Sequence, residues 1–180
     1  MAVPAKFRVG RQMVVTSKTD IVELFRDFKK STNDDAGNAV QEFINLRQPD
    51  LRDFIIGRAA SISENESKSE EVFEGAMFLL SFAIYANIKC HPSAPKFSRN
   101  NIEVSVVRNS AFTRDVAQMI SLPNGESLFE KLYPQLTGNQ VFRCVLDLTA
   151  DLDRVLDFEN RATVEEILFS TKVIIDIYDK

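Results

Sequence analysis

The sequence predicts a mainly α-helical protein, a single compact multi-helix domain over residues 1–180, with about eight helices around a buried helix near 70–89. Three observations predict it. Apolar residues recur at helical spacing along most of the chain. Hydrophobic residues make up 44% and charged residues 27%, the proportions of a globular domain and not of a disordered or fibrous one. A chain of 180 residues buries about two-thirds of its unfolded surface, so it needs neither a disulfide nor a metal to hold a core. Aromatic usage adds to this picture. With 14 Phe, 3 Tyr and no Trp, the aromatic area carries few polar atoms and suits a dry core.

The elements follow in order. Ser17 to Asp20 form a start resembling a capping box, and Ile21, Leu24, Phe25 and Phe28 follow at helical spacing. Asp35 is placed to cap a helix carrying Val40, Phe43 and Ile44, which Gln48-Pro49-Asp50 ends. Asp50 is expected to cap the next helix, with Leu51, Phe54, Ile55 and Ala59 on one face. Ser61 to Ser69 is polar, acidic and aperiodic, the pattern of a surface loop. Ser67-Lys68-Ser69-Glu70 restarts a helix that runs to about Lys89, and its apolar residues go round the whole circumference, as on a helix at the centre of a bundle. Its most apolar stretch, Gly75 to Ala86, is shorter than the roughly 20 residues of a membrane span.

His91-Pro92 and Ala94-Pro95 break that helix and open a Pro-containing linker at 90–101 between helical halves. Ile102, Val104 and Val106 then alternate with polar residues, as do Phe7, Val9, Met13 and Val15 around Gly10. The segments 6–15 and 101–107 are therefore expected to pair as a small β-ribbon, with 1–16 an extended basic N-terminal arm. Phe112, Val116, Met119 and Ile120 mark a further helix, and Pro123-Asn124-Gly125 a turn. Leu128 to Tyr133 define a short helix ended by Pro134 and Gly138. Val141 to Leu156 define a longer one. Thr163-Val164-Glu165-Glu166 has the form of a capping box ahead of Ile167, Leu168, Thr171, Ile174, Ile175 and Tyr178.

Chemistry-bearing residues are sparse. The sole histidine, His91, lies beside a proline and is read as a loop residue. Cys90 and Cys144 belong to no CxxC pattern and are read as small apolar residues in a reducing, cytoplasmic compartment. No glycine-rich phosphate loop, HExxH or GxSxG occurs. Asp147, Asp151, Asp153, Asp157 and Glu159 form the densest carboxylate run. A solvated face opposite Leu148, Leu152 and Val155 is its first reading, and a hard-cation site its second.

Charge is distributed unevenly. Residues 1–19 hold Lys6, Arg8, Arg11 and Lys18 and no acid, and residues 89–114 hold five cations against Glu103 alone. From Asp147 to the end there are nine acids against four bases. Lys6-Phe7-Arg8 and Lys96-Phe97-Ser98-Arg99 interleave an aromatic with cations, a pattern that suits phosphates and stacked bases. Lys6, Arg8, Arg11, Lys96, Phe97, Arg99 and Arg108 are accordingly the candidate nucleic-acid-binding residues. No catalytic or metal-binding residue is assigned, and no cofactor or small-molecule ligand is expected.

The resulting expectation is a non-enzymatic helical interaction or assembly protein. Its partner would be itself or another protein, and not a membrane. It could be a self-assembling coat or nucleocapsid-type protein touching nucleic acid through its basic extended segments. An adaptor or regulatory bundle with a groove for a partner protein is the alternative. A metal-dependent enzyme using the 147–159 aspartates is the third.

Overall fold

In the computed structural model, residues 18–32, 36–120, 122–124 and 131–179 are described. Among them are eight helices of nine residues or more and one of five, and no strand. These are α1 (Lys18–Thr32), α2 (Ala36–Arg47), α3 (Pro49–Ser63), α4 (Ser69–Cys90), α5 (Arg99–Arg108), α6 (Phe112–Ile120), α7 (Pro134–Gly138), α8 (Gln140–Leu156) and α9 (Ala162–Tyr178). The mainly α class is as the periodicity implies.

The centre is α4, buried from Leu79 to Ile88 without a break. Its most apolar window has a mean hydropathy of 1.3, which by length and composition matches a membrane span. Here 67% of that window is buried inside the protein, the environment of a core helix. Glu70 and Glu71 in its first turn and Lys89 in its last suit the helix dipole. Helices α1, α2, α3, α9 and α8 surround it, each packing on α4, and α5 and α6 lie outside against α9. One apolar cluster runs from Ile21 in α1 to Tyr178 in α9.

Phenylalanine builds much of that core. Of the twelve described, Phe28, Phe82, Phe112 and Phe142 are fully buried, and none is exposed. Between α1 and α4, Phe25 and Phe28 meet Phe78 and Phe82 with ring centroids 5.1–6.0 Å apart, in edge-on and tilted geometries that aromatic quadrupoles favour. Gly75 lets α8 approach α4. A Cβ placed there would lie 2.6 Å from Leu152 Cδ2.

The β-ribbon is a correction. Residues 101–107 are helical, and 6–15 lie outside the described residues. Ile102 and Ser105 are buried one turn apart, Asn109 is buried one turn further on, and Ser105 Oγ donates to Val173 O at 3.4 Å. Ser98 and Asn101 close a reciprocal cap that fixes the helix start. Helical contact with α9 therefore overrides the β-branched alternation, and Val104 and Val107 face water.

Local capping also departs from expectation. Pro49 opens α3 and Gln48 is its N-cap residue, whereas Asp50 caps α5 from outside, accepting from Arg99 N at 2.9 Å. Thr163 starts no capping box. Arg161 precedes the first turn of α9, and the Thr163 hydroxyl donates to Glu66. Pro134 and Gly138 delimit a short helix of their own. Val155, expected on the buried face of α8, is 76% exposed. At the C-terminus of α8, Asp157 adopts the left-handed region at φ 57, and Phe158 N donates to Asp153 Oδ1 at 3.1 Å.

Candidate functional site

Glu66 stands at the centre of a polar knot that the sequence gives no sign of. It comes from the aperiodic loop after α3 and is nearly buried. Its carboxylate accepts from Glu159 N at 2.9 Å, from Asn160 N at 3.1 Å and from the Thr163 hydroxyl. Two donors belong to the α8–α9 turn and the third to the first turn of α9, so the knot fastens that turn and is structural. Nearby, Arg58 on α3 pairs with Glu166 on α9 and lies 5.0 Å over the Phe169 ring.

The candidate nucleic-acid residues are dispersed. Lys6, Arg8 and Arg11 lie outside the described residues. Lys96 and Phe97 sit in the loop after α4, and Arg99 and Arg108 stand at opposite ends of α5. Nine helical positions separate those two arginines by about 13 Å along the axis and about half a turn around it. The two cations therefore stand on opposite faces of α5 and share no surface. Arg99 bonds Glu103 at 3.1 Å, and Lys96 and Arg108 are exposed and form no ion pair among the described residues. Phe97 turns inward, edge-on to Tyr178 at 4.9 Å.

The loop is held by the α2–α3 corner. Arg47 Nη2 donates to Pro92 O at 2.6 Å and Gln48 Nε2 to Pro95 O at 2.8 Å, while Phe97 N donates to Gln48 Oε1 at 3.0 Å. His91 stacks on Tyr178 with centroids 5.7 Å apart. Burial raises the Tyr178 phenol above its ordinary value. Burial also pushes the Cys144 thiol up to about 11, and the negative charge of Asp147 adds to it, so the reactive thiolate is disfavoured.

The carboxylate run does not converge. Asp151 pairs with Arg154 at 2.9 Å, Asp153 and Asp157 finish the helix, and Asp147 and Glu159 are exposed. Among the described residues, no three His, Cys, Asp or Glu side chains are grouped as a metal would need.

The surface feature with the most recognition character lies between α3 and α5. A cavity of about 770 Å³ is lined by Phe54 of α3 and Ile102, Val106 and Val107 of α5, with Asp50, Asp53, Arg99 and Glu103 at its edges. Because α5 spends Ile102 and Ser105 on α9, Val107 is left 72% exposed. Phe54 is half-buried beside it. The rim carries three carboxylates against one guanidinium, which Glu103 already engages. An apolar floor with a charged rim is the anatomy of a protein-binding site. Periodicity places Phe54 on a core face and Val106 in a strand, and so does not bring them together. The signal present in the sequence is the number of apolar residues on α5, which exceeds what one buried face requires.

Comparison with known protein families, with curated proteins and with solved structures finds no match to this chain.

Proposed function

We propose that this chain is a non-enzymatic helical assembly protein whose copies associate through the α3–α5 groove. The observation that carries the proposal is the clustering of apolar side chains in one groove, where Val107, 72% exposed, and half-buried Phe54 line a cavity together with Ile102 and Val106. Two further features support it. The groups with most chemical potential are spent on structure: the Cys144 thiol is held protonated, Asp153 ends a helix and His91 stacks on a ring. The acidic rim also has a counterpart in the same chain, since residues 1–19 carry four cations and no acid.

Light scattering of the purified protein tests this reading. An assembly larger than one chain is expected, and Val107→Asp should dissociate it without altering the helical circular dichroism. Raising the salt from about 0.1 M to 1 M, which shortens the screening length from about 10 to 3 Å, should weaken it. A monomeric wild type, or an assembly indifferent to Val107→Asp, refutes the proposal. Ultraviolet absorbance dominated by nucleic acid would instead direct the basic segments to phosphate.

A further inference from the structure

We propose that the groove between α3 and α5 receives residues 6–15 of a neighbouring copy. This rests on the assembly reading above and names the segment that fills its site. Charge favours this pairing. Asp50, Asp53 and Glu103 border the groove against Arg99 alone, and residues 6–15 bring Lys6, Arg8 and Arg11 with no acid. Asp53 and Glu103 have side chains 74% and 62% exposed, and each now faces a cation of its own helix, Arg52 at 3.7 Å and Arg99 at 3.1 Å, in solvated pairs that an incoming cation can join or replace.

The residue pattern of the segment also fits. In extended form, Phe7, Val9, Met13 and Val15 fall on one face, interrupted by Arg11, and Lys6 and Arg8 fall on the other, so the apolar and cationic faces separate cleanly only from Lys6 to Gly10. That division suits a floor of Phe54, Ile102, Val106 and Val107 beneath a carboxylate rim. Length agrees as well. The ten residues of α5 extend about 15 Å, which is spanned by about five extended residues, the length of Lys6 to Gly10. Phe7 is then the aromatic anchor, seated against Phe54 and Val107.

Connectivity favours a neighbouring copy as the donor. The segment leads into α1, which packs on α2, α4 and α8. The groove is formed by α3 and α5, and α5 packs on α3 and α9 instead. A segment joined to one set of helices and a groove built from another suit contact between successive copies, the head-to-tail arrangement that closes rings or extends filaments.

Full-length variants tested by light scattering and sedimentation decide it. Phe7→Ser should weaken self-association at least about thirtyfold, as loss of an interface anchor does, and Arg8→Glu should weaken it about tenfold or more. Asp53→Arg placed on the Arg8→Glu chain should restore much of the loss. The mixing experiment is sharper. Phe7→Ser retains a working groove and Val107→Asp a working segment, so the two mixed variants should form a one-to-one complex that neither forms alone.

If Val107→Asp dissociates the assembly and the Phe7 and Arg8 variants do not, the segment is not the occupant, although groove-mediated assembly stands. If both kinds dissociate it and the mixture stays monomeric, the pairing of segment with groove is wrong. A monomeric wild type removes the proposal and the assembly reading together.

Discussion

Replacing Glu66 with Ala tests how much the knot at the α8–α9 turn contributes to stability. Three donors lose one carboxylate: Glu159 N, Asn160 N and the Thr163 hydroxyl. Hydrogen bonds to a charged group contribute about 1.5–3 kcal/mol each, which sets an upper range of about 4–9 kcal/mol. Water moderates it. Glu159 is exposed and Asn160 half-buried, so both amides can be hydrated after the change, and only Thr163 stays buried. Removing the carboxylate also relieves the cost of holding it away from water. The remaining loss is about 3 kcal/mol, a large share of the roughly 5–15 kcal/mol by which domains are stable. With a urea slope of about 2 kcal/mol/M, the unfolding midpoint should fall by about 1.5 M with the slope unchanged. Glu66→Gln keeps one carbonyl acceptor and should lose about half as much. A Glu66→Ala midpoint within about 0.3 M of wild type, or a Gln variant as weak as Ala, refutes the assignment.

Gly57 and Gly75 should respond oppositely to Ala. Gly57 lies within α3 with no atom within 4 Å of an added Cβ, so Gly57→Ala should raise stability by about 1 kcal/mol through helix propensity. Gly75→Ala gains the same propensity but drives into Leu152, so urea unfolding should show it at least about 1 kcal/mol below Gly57→Ala. Cys144 should react slowly with alkylating reagents. A thiol pKa of about 11 leaves about one molecule in a thousand as thiolate near pH 8, so the measured rate should climb about tenfold per pH unit towards 11, and a fast rate at neutral pH counts against the burial described. Stability should fall in alkali. Tyr85, Tyr133, Tyr178 and Cys144 are all raised by burial, so they favour the fold fully below their unfolded values, near about 8.5 for the thiol and 10 for the phenols, and lose that contribution as pH rises past them. Urea midpoints that do not change between about pH 8 and 10.5 would contradict this.

The periodicity of the chain carries most of the fold. The α1 residues Ile21, Leu24 and Phe28 are buried at the spacing that marks them, and α4 is apolar all round because it is surrounded. Failures arise where a partner distant in sequence decides. The alternation at Ile102, Val104 and Val106 resembles a strand, and only contact with α9 makes it a helix. Asp50 and Thr163 have the residue types of caps but serve other elements, which no local pattern encodes. Glu66 appears as one acid in a solvated loop, and its role depends on a turn more than ninety positions away. The groove was hidden for a related reason. Phe54 and Val107 each belong to a plausible local face, and their meeting is a property of packing.

The α2–α3 corner grips its loop by backbone alone. Arg47, Gln48 and Asp50 engage the carbonyls of Pro92 and Pro95 and the amides of Phe97 and Arg99, and no loop side chain takes part in these bonds. The path of this stretch is thereby uncoupled from most of its residue identities. Ser93 and Lys96, both exposed, are positions where lineages can diverge in charge and size while the contour beside the groove is inherited unchanged.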